Sequence, residues 1–335
     1  MEEIKACPND ELPPVSIVIC IWDKVNLLRN HIQHFLDQEY PNFEIIVVNV
    51  TYDDFYDEAL EAWVNNIPNL ELINIYEKNN FSKSKIFPLS IGIKAAKNEY
   101  IVTTNLTCIP SSVFWLRTLV SSSCNFKYSN VIGITNYKKR PKLSNKLHRY
   151  ALNISNYKML SYAYYKMPLS INPKNFLFTK SNFFNIKNIT QYFNINNDGT
   201  CVLNKLAKKK NSTICFLDYA QTQETEFNKL HKDLANDISN LKFAKKYPRF
   251  LNAFYAISLL LFIICLVLLV VFFKIYILPA SLFIIRTFLW FKYKFRSLTK
   301  LNQSDLKKGI ILYEFIILIL YPIAYFRTLR TKHAY

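Results

Sequence analysis

Long apolar runs alternate with mixed polar segments along the first part of the chain. VSIVICIW (15–22), FEIIVVNV (43–50) and LELINIY (70–76) are continuous runs rich in β-branched residues. Such runs are typical of strands that are buried on both faces. The segments between them have apolar residues at helical spacing, which predicts helices over 23–38 and over 53–65. Alternating strands and helices predict an α/β fold with a mostly parallel sheet.

Later elements follow at less regular spacing. The pattern predicts strands over 100–105, 131–137, 176–179 and 212–216, and helices over 85–97, 143–166 and 200–210. The whole chain contains four glycines, so a Gly-rich phosphate-binding loop of the Walker or dinucleotide type is excluded.

The last quarter of the chain is dominated by apolar residues. Residues 250–273 contain no charged side chain and are long enough to cross a bilayer core of about 30 Å. A second run over 275–291 follows, and basic residues flank the pair on both sides, which predicts a hairpin with both ends in the cytoplasm. The pattern therefore divides the chain into a cytoplasmic domain over 1–240 and a membrane region over 241–335.

A third apolar run over 309–326 has two open interpretations. If it spans the membrane, the basic residues that follow it face outward, against the positive-inside tendency. If it lies at the interface, they stay in the cytoplasm. Glu314 within this run indicates either a functional intramembrane group or a structural carboxylate, which lies near the membrane edge or packs against Arg286.

The distribution of charge and the number and spacing of the cysteines limit the expected partners and the cellular compartment of the chain. Residues 1–80 carry 15 acidic and 4 basic side chains, whereas residues 81–335 carry 9 and 38. Basic residues beside apolar helices favour binding to anionic lipid headgroups. The sequence does not match the pattern of any known nucleic-acid-binding module. Seven cysteines without a Cys-x-x-Cys pair indicate reduced thiols, and the acidic N-terminus lacks the apolar core of a signal peptide. We therefore expect a lipid bilayer as a partner, a cytoplasmic domain and no nucleic acid.

Two longer segments carry a resemblance to a known family. PVSIVICIWDKVNLLRNHIQHFLDQEYPNFEIIVVN (14–49) and LSIGIKAAKNEYIVTTNLTCIPSSVFWLRTL (89–119) resemble the family 2 glycosyltransferases, and the likeness extends through 137–150, 174–184 and 204–216. It is closest to a bacterial branch attached to the cytoplasmic membrane by C-terminal transmembrane segments. The resemblance implies a GT-A-like mixed sheet flanked by helices.

The resemblance also implies a reaction and its groups. Such enzymes transfer a sugar from a nucleotide sugar to a glycan or lipid-linked acceptor, and a Mg²⁺ or Mn²⁺ ion held by carboxylates neutralises the diphosphate leaving group. A further carboxylate takes the proton from the acceptor hydroxyl. The family supplies an acidic residue after the second strand, an Asp-x-Asp after the fourth, and an acidic cluster that includes the base.

This chain departs from the family at each of these places. By resemblance, the nucleotide-sugar site corresponds to Trp22, Asp23, Asn49, Val50, Asn105, Leu106 and Thr107, the acceptor side to Lys174 and Asn175, and the base to Asp198. Val50 replaces the nucleotide-contacting acid, and Asn105-Leu106-Thr107 replaces the metal motif. We therefore expect no metal ligands, although the family would use a divalent cation.

These departures lead to one leading hypothesis and two alternatives. The leading hypothesis is a catalytically impaired family 2 homologue that serves glycan or polysaccharide assembly at the bacterial cytoplasmic membrane, with an active glycosyltransferase or assembly protein as a partner. The first alternative is an active transferase that uses Asp198 as base and lysines in place of metal. The second is a protein that binds membrane surfaces through its basic face.

Overall fold

The computed structural model describes residues 7–22, 25–51, 58–76, 85–126, 128–164, 171–193, 199–208, 211–226, 229–242, 246–273 and 277–330. The remaining residues, including Asp23 and Asp198, lie outside the described part of the chain.

A seven-stranded sheet forms the centre of the N-terminal domain, in the order β3-β2-β1-β4-β8-β6-β9. The first four of these strands in the order are parallel, and β8 runs antiparallel to its neighbours β4 and β6. Their bounds are β1 Val15–Trp22, β2 Phe43–Thr51, β3 Leu70–Tyr76, β4 Tyr100–Thr104, β6 Asn130–Ile132, β8 Asn175–Thr179 and β9 Ser212–Ile214.

A second sheet of three short strands lies beside the first. Its order is β5-β10-β7, with bounds β5 Cys108–Pro110, β7 Thr135–Tyr137 and β10 Thr222–Glu224. In β10, Thr222 and Glu224 pair with Pro110 and Cys108 of β5 on one side and with residues of β7 on the other. The sequence pattern predicted neither β5 nor β10, because the segments Cys-Ile-Pro and Thr-Gln-Glu do not belong to a continuous apolar run.

Nine helices surround the sheets in the N-terminal domain as described. They are α1 Val25–His31, α2 Gln33–Leu36, α3 Glu58–Asn65, α4 Ile86–Ala95, α5 Trp115–Phe126, α6 Leu143–Tyr164, α7 Lys180–Phe184, α8 Thr200–Leu206 and α9 Leu230–Lys242. Three longer helices follow: α10 Lys246–Phe273, α11 Ile277–Lys300 and α12 Ile310–Arg330.

Apolar side chains cover both faces of the central sheet. On one face Ile17 and Ile19 of β1 pack with Leu28 of α1 and Trp115 of α5, and on the other Val18 packs with α4 and α8. Successive residues of a strand point to opposite faces, so a strand covered by helices on both sides must be apolar throughout. The predicted α/β architecture, a mixed sheet flanked by helices, is confirmed.

Helix α4 lies unusually close to the sheet. A Cβ atom at Gly92 would lie 2.6 Å from Cγ1 of Val18 and 2.8 Å from Cγ2 of Val48. A glycine is therefore required here for the helix to reach this distance, which holds α4 against β1 and β2.

The segment predicted as one strand over 131–137 is two strands in different sheets. The N–H of Gly133 donates to the carbonyl of Asn175 in β8 (2.8 Å), and the carbonyl of Ile134 accepts from the N–H of Thr222 in β10 (3.0 Å). The chain thus changes sheets between β6 and β7. The helix predicted over 23–38 is likewise divided, with α1 ending at His31 and α2 beginning at Gln33.

A third apolar cluster joins the C-terminal helices to the domain. Tyr313 and Ile317 of α12 pack with residues of α6 and with Leu234 and Ile238 of α9. Glu314 is paired with the ammonium of Lys294 and accepts from the hydroxyl of Tyr150, each at 2.6 Å. The guanidinium of Arg286 lies over the ring of Phe262 instead (5.0 Å), so the expected contact between Arg286 and Glu314 is wrong.

Candidate functional site

A cleft opens where the carboxyl ends of β1 and β4 meet the amino end of β8. The carboxyl ends of parallel strands lie at one edge of the sheet, and antiparallel β8 begins at that same edge. The cleft is lined by Cys20, Trp22, Lys85, Leu89, Thr103, Thr104, Asn105, Pro173 and Lys174. The fold therefore brings together Trp22, Asn105 and Lys174 of the residues expected from the sequence. The cleft is the candidate site.

The end of β2 supplies neutral side chains to this edge. In the parallel register Trp22 pairs with Val50, and Ile21 pairs with Asn49. The side chain of Val50 is buried, and the amide of Asn49 donates to Oδ1 of Asn74 at 3.2 Å. A carboxylate is thus absent from the place where the family resemblance would put one.

The backbone of the turn after β4 is held by hydrogen bonds from neighbouring elements and from Asn105. The side chain of Leu106 is 1% exposed and belongs to the core, while its carbonyl lies 2.8 Å from Nδ1 of His31. The carbonyl of Thr107 accepts from the N–H (2.8 Å) and hydroxyl (2.9 Å) of Thr225, and Oδ1 of Asn105 accepts from the N–H of Thr107 (3.2 Å). Of the three residues, Asn105 alone lines the cleft.

These residues do not fit a divalent cation. Mg²⁺ and Mn²⁺ favour carboxylate oxygens, and the turn offers one amide and one hydroxyl in their place. Within the described ranges, no group of three His, Cys, Asp or Glu side chains could hold a metal ion.

A partly buried ion pair that the sequence did not reveal lies at the wall of the cleft. The ammonium of Lys174 contacts Oε2 of Glu224, and the thiol of Cys108 donates to the same oxygen at 3.2 Å. Burial, and then the negative charge of Glu224, raise the pKa of Cys108 well above its ordinary value. Sequence reasoning missed Glu224, because Thr-Gln-Glu-Thr reads as a loop until the pairing of β10 with β5 puts residue 224 opposite Cys108.

A second lysine borders the cleft from the start of α4. The ammonium of Lys85 lies 5.2 Å from the ring centre of Trp22, within the range of a cation–π contact. Burial raises the pKa of the Cys20 thiol to about 12, and the positive charge of Lys85 opposes that rise. Lys85 therefore supplies positive charge to the wall formed by β1.

Asn175 lies behind the lining and has a full set of internal partners. Its Oδ1 accepts from the indole N–H of Trp115 (3.2 Å), and its Nδ2 donates to the carbonyls of Ile134 (3.0 Å) and Ala220 (2.8 Å). The side chain is 0% exposed. Asn175 therefore fixes the β6–β7 connection against α5. Because its side chain does not reach the cleft, its neighbour Lys174 is the residue of this pair that could contact an acceptor.

Comparisons with known proteins agree with this architecture. A sequence model of the family described as glycosyl transferase family 2 matches residues 16–193. No curated protein matches the chain significantly.

Many solved structures are similar to the chain, and the following are two of them. One is the mannosyltransferase PcManGT from Pyrobaculum calidifontis in complex with GDP-Man and Mn²⁺, with a TM-score of 0.53 and 13% identity over 91% of this chain and 87% of that chain. The other is S. aureus TarS 1-349 in complex with UDP-GlcNAc, with a TM-score of 0.45 and 12% identity over 68% of this chain and 65% of that chain. The first likeness, together with the family match, confirms the expected GT-A-like fold.

Proposed function

Because this chain belongs to glycosyltransferase family 2, we propose that it is a membrane-anchored member that is impaired in metal-dependent sugar transfer. In this proposal it serves glycan or polysaccharide assembly at the cytoplasmic face of a bacterial membrane, beside an active transferase or another assembly protein. The observation that carries the proposal is the turn of Asn105, Leu106 and Thr107, whose side chains include no carboxylate and whose backbone is engaged internally.

The chemistry of sugar transfer supports the impairment. In metal-dependent sugar transfer a divalent cation is held beside the diphosphate as the glycosidic bond breaks, and its attachment requires anionic ligands. Leu106 is a core residue and cannot turn toward the cleft without exposing its side chain, while the Thr107 carbonyl is occupied by Thr225. A structurally similar protein holds GDP-Man and Mn²⁺, so the loss of carboxylates here removes the metal while the surrounding fold persists.

The exposed faces of the C-terminal helices support membrane anchoring. Large apolar side chains are more than half exposed along all three, including Leu261 in α10, Phe288 in α11 and Leu318 in α12. Of the residues that the structure describes, one helical stretch, Ser304–Phe326, is long and apolar enough to cross a membrane. Such surfaces exceed what a water-soluble domain exposes, and a bilayer is the partner whose chemistry matches them.

A second candidate function is an active transferase that works without metal. The pair of Lys174 and Glu224 favours it, because an ammonium fixed at the cleft could donate hydrogen bonds to the leaving diphosphate. In that version Asp198 is the base that accepts the proton of a hydroxyl on a lipid-linked or surface glycan.

The experiment that tests the proposal measures turnover by the purified full chain in detergent. Release of nucleoside diphosphate from UDP- and GDP-sugars is followed with Mg²⁺, with Mn²⁺ and with EDTA, in the presence of lipid-linked acceptors. We expect no release above the background of a heat-denatured sample. Turnover that is lost in Asp198→Asn but kept in the exposed control Asp10→Asn would establish the active version and overturn the impaired one.

A further inference from the structure

The cleft contains a cation arrangement that does not depend on a metal ion. We propose that Lys85 and Lys174 bind the diphosphate of a nucleoside diphosphate directly, with no divalent cation. The inference rests on the proposed function for the identity of the cleft as the donor site, but it concerns binding and not turnover.

Lys174 is held in place from two sides. Its ammonium contacts Glu224, and its backbone N–H donates to Oδ1 of Asn172 at 3.0 Å. The following residue, Asn175, is locked by the three internal hydrogen bonds described above. The side chain of Lys174 is 36% exposed, whereas that of Glu224 is 6% exposed. The positive end of the pair is therefore the end that faces the cleft.

Lys85 approaches the same cleft from the side of β1. It immediately precedes α4, and the ring of Trp22 lies beneath its ammonium. Lys85 and Lys174 are the charged members of the described lining, which includes no carboxylate. Lys85 adds a net positive charge to the cleft, whereas the charge of Lys174 is balanced by Glu224 and its ammonium contributes N–H donors at a fixed position. Lysine is a common ligand of phosphate.

Thr104 supplies an independent observation. It lines the cleft at the end of β4, its side chain is 8% exposed, and its hydroxyl has no hydrogen-bond partner. A buried hydroxyl without a partner is unfavourable unless a ligand or water completes it. Because this oxygen has almost no accessible surface, it can donate to a phosphate oxygen held by the lysines only after the side chain of Thr104 turns toward the cleft.

The geometry also accounts for the role of Glu224. A carboxylate that is almost fully buried needs a counter-charge, and Lys174 provides it. Glu224 thus fixes the ammonium near the turn of Asn105, the position at which the family resemblance would place the metal. In this arrangement the ammonium of Lys174, which is part of the protein, occupies the position of an exchangeable metal ion.

Binding to the full chain in detergent tests the inference. Calorimetric titrations use UDP, GDP and inorganic pyrophosphate, each in EDTA and in Mn²⁺. We expect one of the two nucleotides to bind in EDTA with an affinity that Mn²⁺ changes by less than about twofold, and pyrophosphate to compete with it. Each of Lys85→Met and Lys174→Met should weaken binding about tenfold or more, because each removes a charge-assisted hydrogen bond.

Matched variants separate binding from folding. Lys187→Met removes an exposed lysine outside the cleft lining and should leave affinity unchanged. Since Lys174→Met leaves Glu224 buried without its partner, the double variant Lys174→Met/Glu224→Gln keeps the pair neutral and should show the same loss while unfolding at the temperature of the unmodified chain.

Several results would overturn the inference. These are binding that requires Mn²⁺, failure of pyrophosphate to compete, lysine variants that bind as tightly as the unmodified chain, and no binding of any of the three probes. None of these results depends on the turnover assay. The binding inference can therefore fail while the proposed impairment stands. Conversely, turnover could be found in a chain whose two lysines bind the diphosphate.

Discussion

At the scale of single residues, the environment of a side chain determines its role more than its chemical type does. Asn105 and Asn175 are both amides near one end of the sheet, yet Asn105 lines the cleft and Asn175 is sealed behind it. Likewise Lys174 acquires a fixed position through Glu224, which lies 50 residues away in the sequence.

The internal hydrogen bonds of Asn175 predict a large effect on stability. Asn175→Ala would leave the indole N–H of Trp115 and the carbonyls of Ile134 and Ala220 without their partner in a buried site. We expect a loss of about 2–4 kcal/mol in the free energy of unfolding, seen as a fall of several degrees in Tm by tryptophan fluorescence. The exposed Asn185→Ala serves as control, and an equal Tm for both variants would contradict this account.

The thiol of Cys20 gives a prediction about pH. Because burial raises its pKa to about 12, iodoacetamide at pH 8 should modify Cys20 about a thousandfold more slowly than it does in the chain unfolded in guanidinium. A raised pKa means that the folded state favours the neutral thiol. The corresponding stability is fully present below the ordinary thiol pKa of about 8.5 and is lost as the pH rises through about 12.

Peptide mass spectrometry after timed labelling measures the rate for Cys20 alone. Lys85→Met should slow the reaction further, since the positive charge that favours the thiolate is removed. A folded chain whose Cys20 reacts at the unfolded rate at pH 8 would show that the thiol is not desolvated.

At the scale of elements, the C-terminal helices are bound to the domain by both polar and apolar contacts. The guanidinium of Arg149 in α6 lies 2.6 Å from Oδ1 of Asp305 and donates to Oε1 of Gln303 (2.7 Å). Arg149 is buried, so this pairing fixes the segment between α11 and α12 against α6. The apolar contacts of α12 with α9 extend the same attachment.

The packing of α12 on α9 predicts the location of the C-terminus. Helix α9 carries Asp233 and several other polar side chains, so it cannot enter the hydrocarbon core. Because α12 contacts α9 through Tyr313 and Ile317, that part of α12 lies outside the core as well. We therefore expect α12 to lie along the membrane surface with its opposite, exposed apolar face in the lipid.

Reporter fusions at the C-terminus measure this topology. A green fluorescent protein should fluoresce, as it does in the cytoplasm, and an alkaline phosphatase fused at the same point should be inactive. The reverse result would mean that α12 crosses the bilayer and that its contacts with α9 are not kept in the membrane.

At the scale of the whole molecule, charge and apolar surface are separated along the chain. The acidic first 80 residues form β1, β2 and β3 on one side of the central sheet, whereas basic residues accompany the three apolar helices. Anionic headgroups attract such basic residues, but each contributes only about 1 kcal/mol, and salt screens the attraction. Burial of the exposed faces of α10 and α11 would dominate the attachment.

Membrane washing distinguishes these contributions. We expect the full chain to remain with the membrane fraction in 1 M salt and in alkaline carbonate, and to be released by detergent. Release by salt alone would instead favour the protein that binds membrane surfaces through its basic face. A peripheral protein with known electrostatic attachment, analysed in the same fractions, is the control.

The sequence by itself determined the α/β class, the first four strands and the apolar helices. These features depend on local periodicity, because a strand buried on both faces must be apolar along its length and a membrane helix must be apolar over about 20 residues. The resemblance also pointed to Trp22, Asn105 and Lys174, which line the cleft, while their roles toward a nucleotide sugar or an acceptor stay predictions. Asp23 and Asp198 stay predictions, since they lie outside the described residues.

Only the tertiary structure decided which groups meet. The pairing of β10 with β5 brings Glu224 to Cys108 and Lys174, and the crossover at Gly133 divides one predicted strand between two sheets. Contacts between residues far apart in the sequence leave no period for a pattern to reveal. They are set by how the elements pack, and that is why Lys85 and Glu224 were not assigned to the cleft from the sequence.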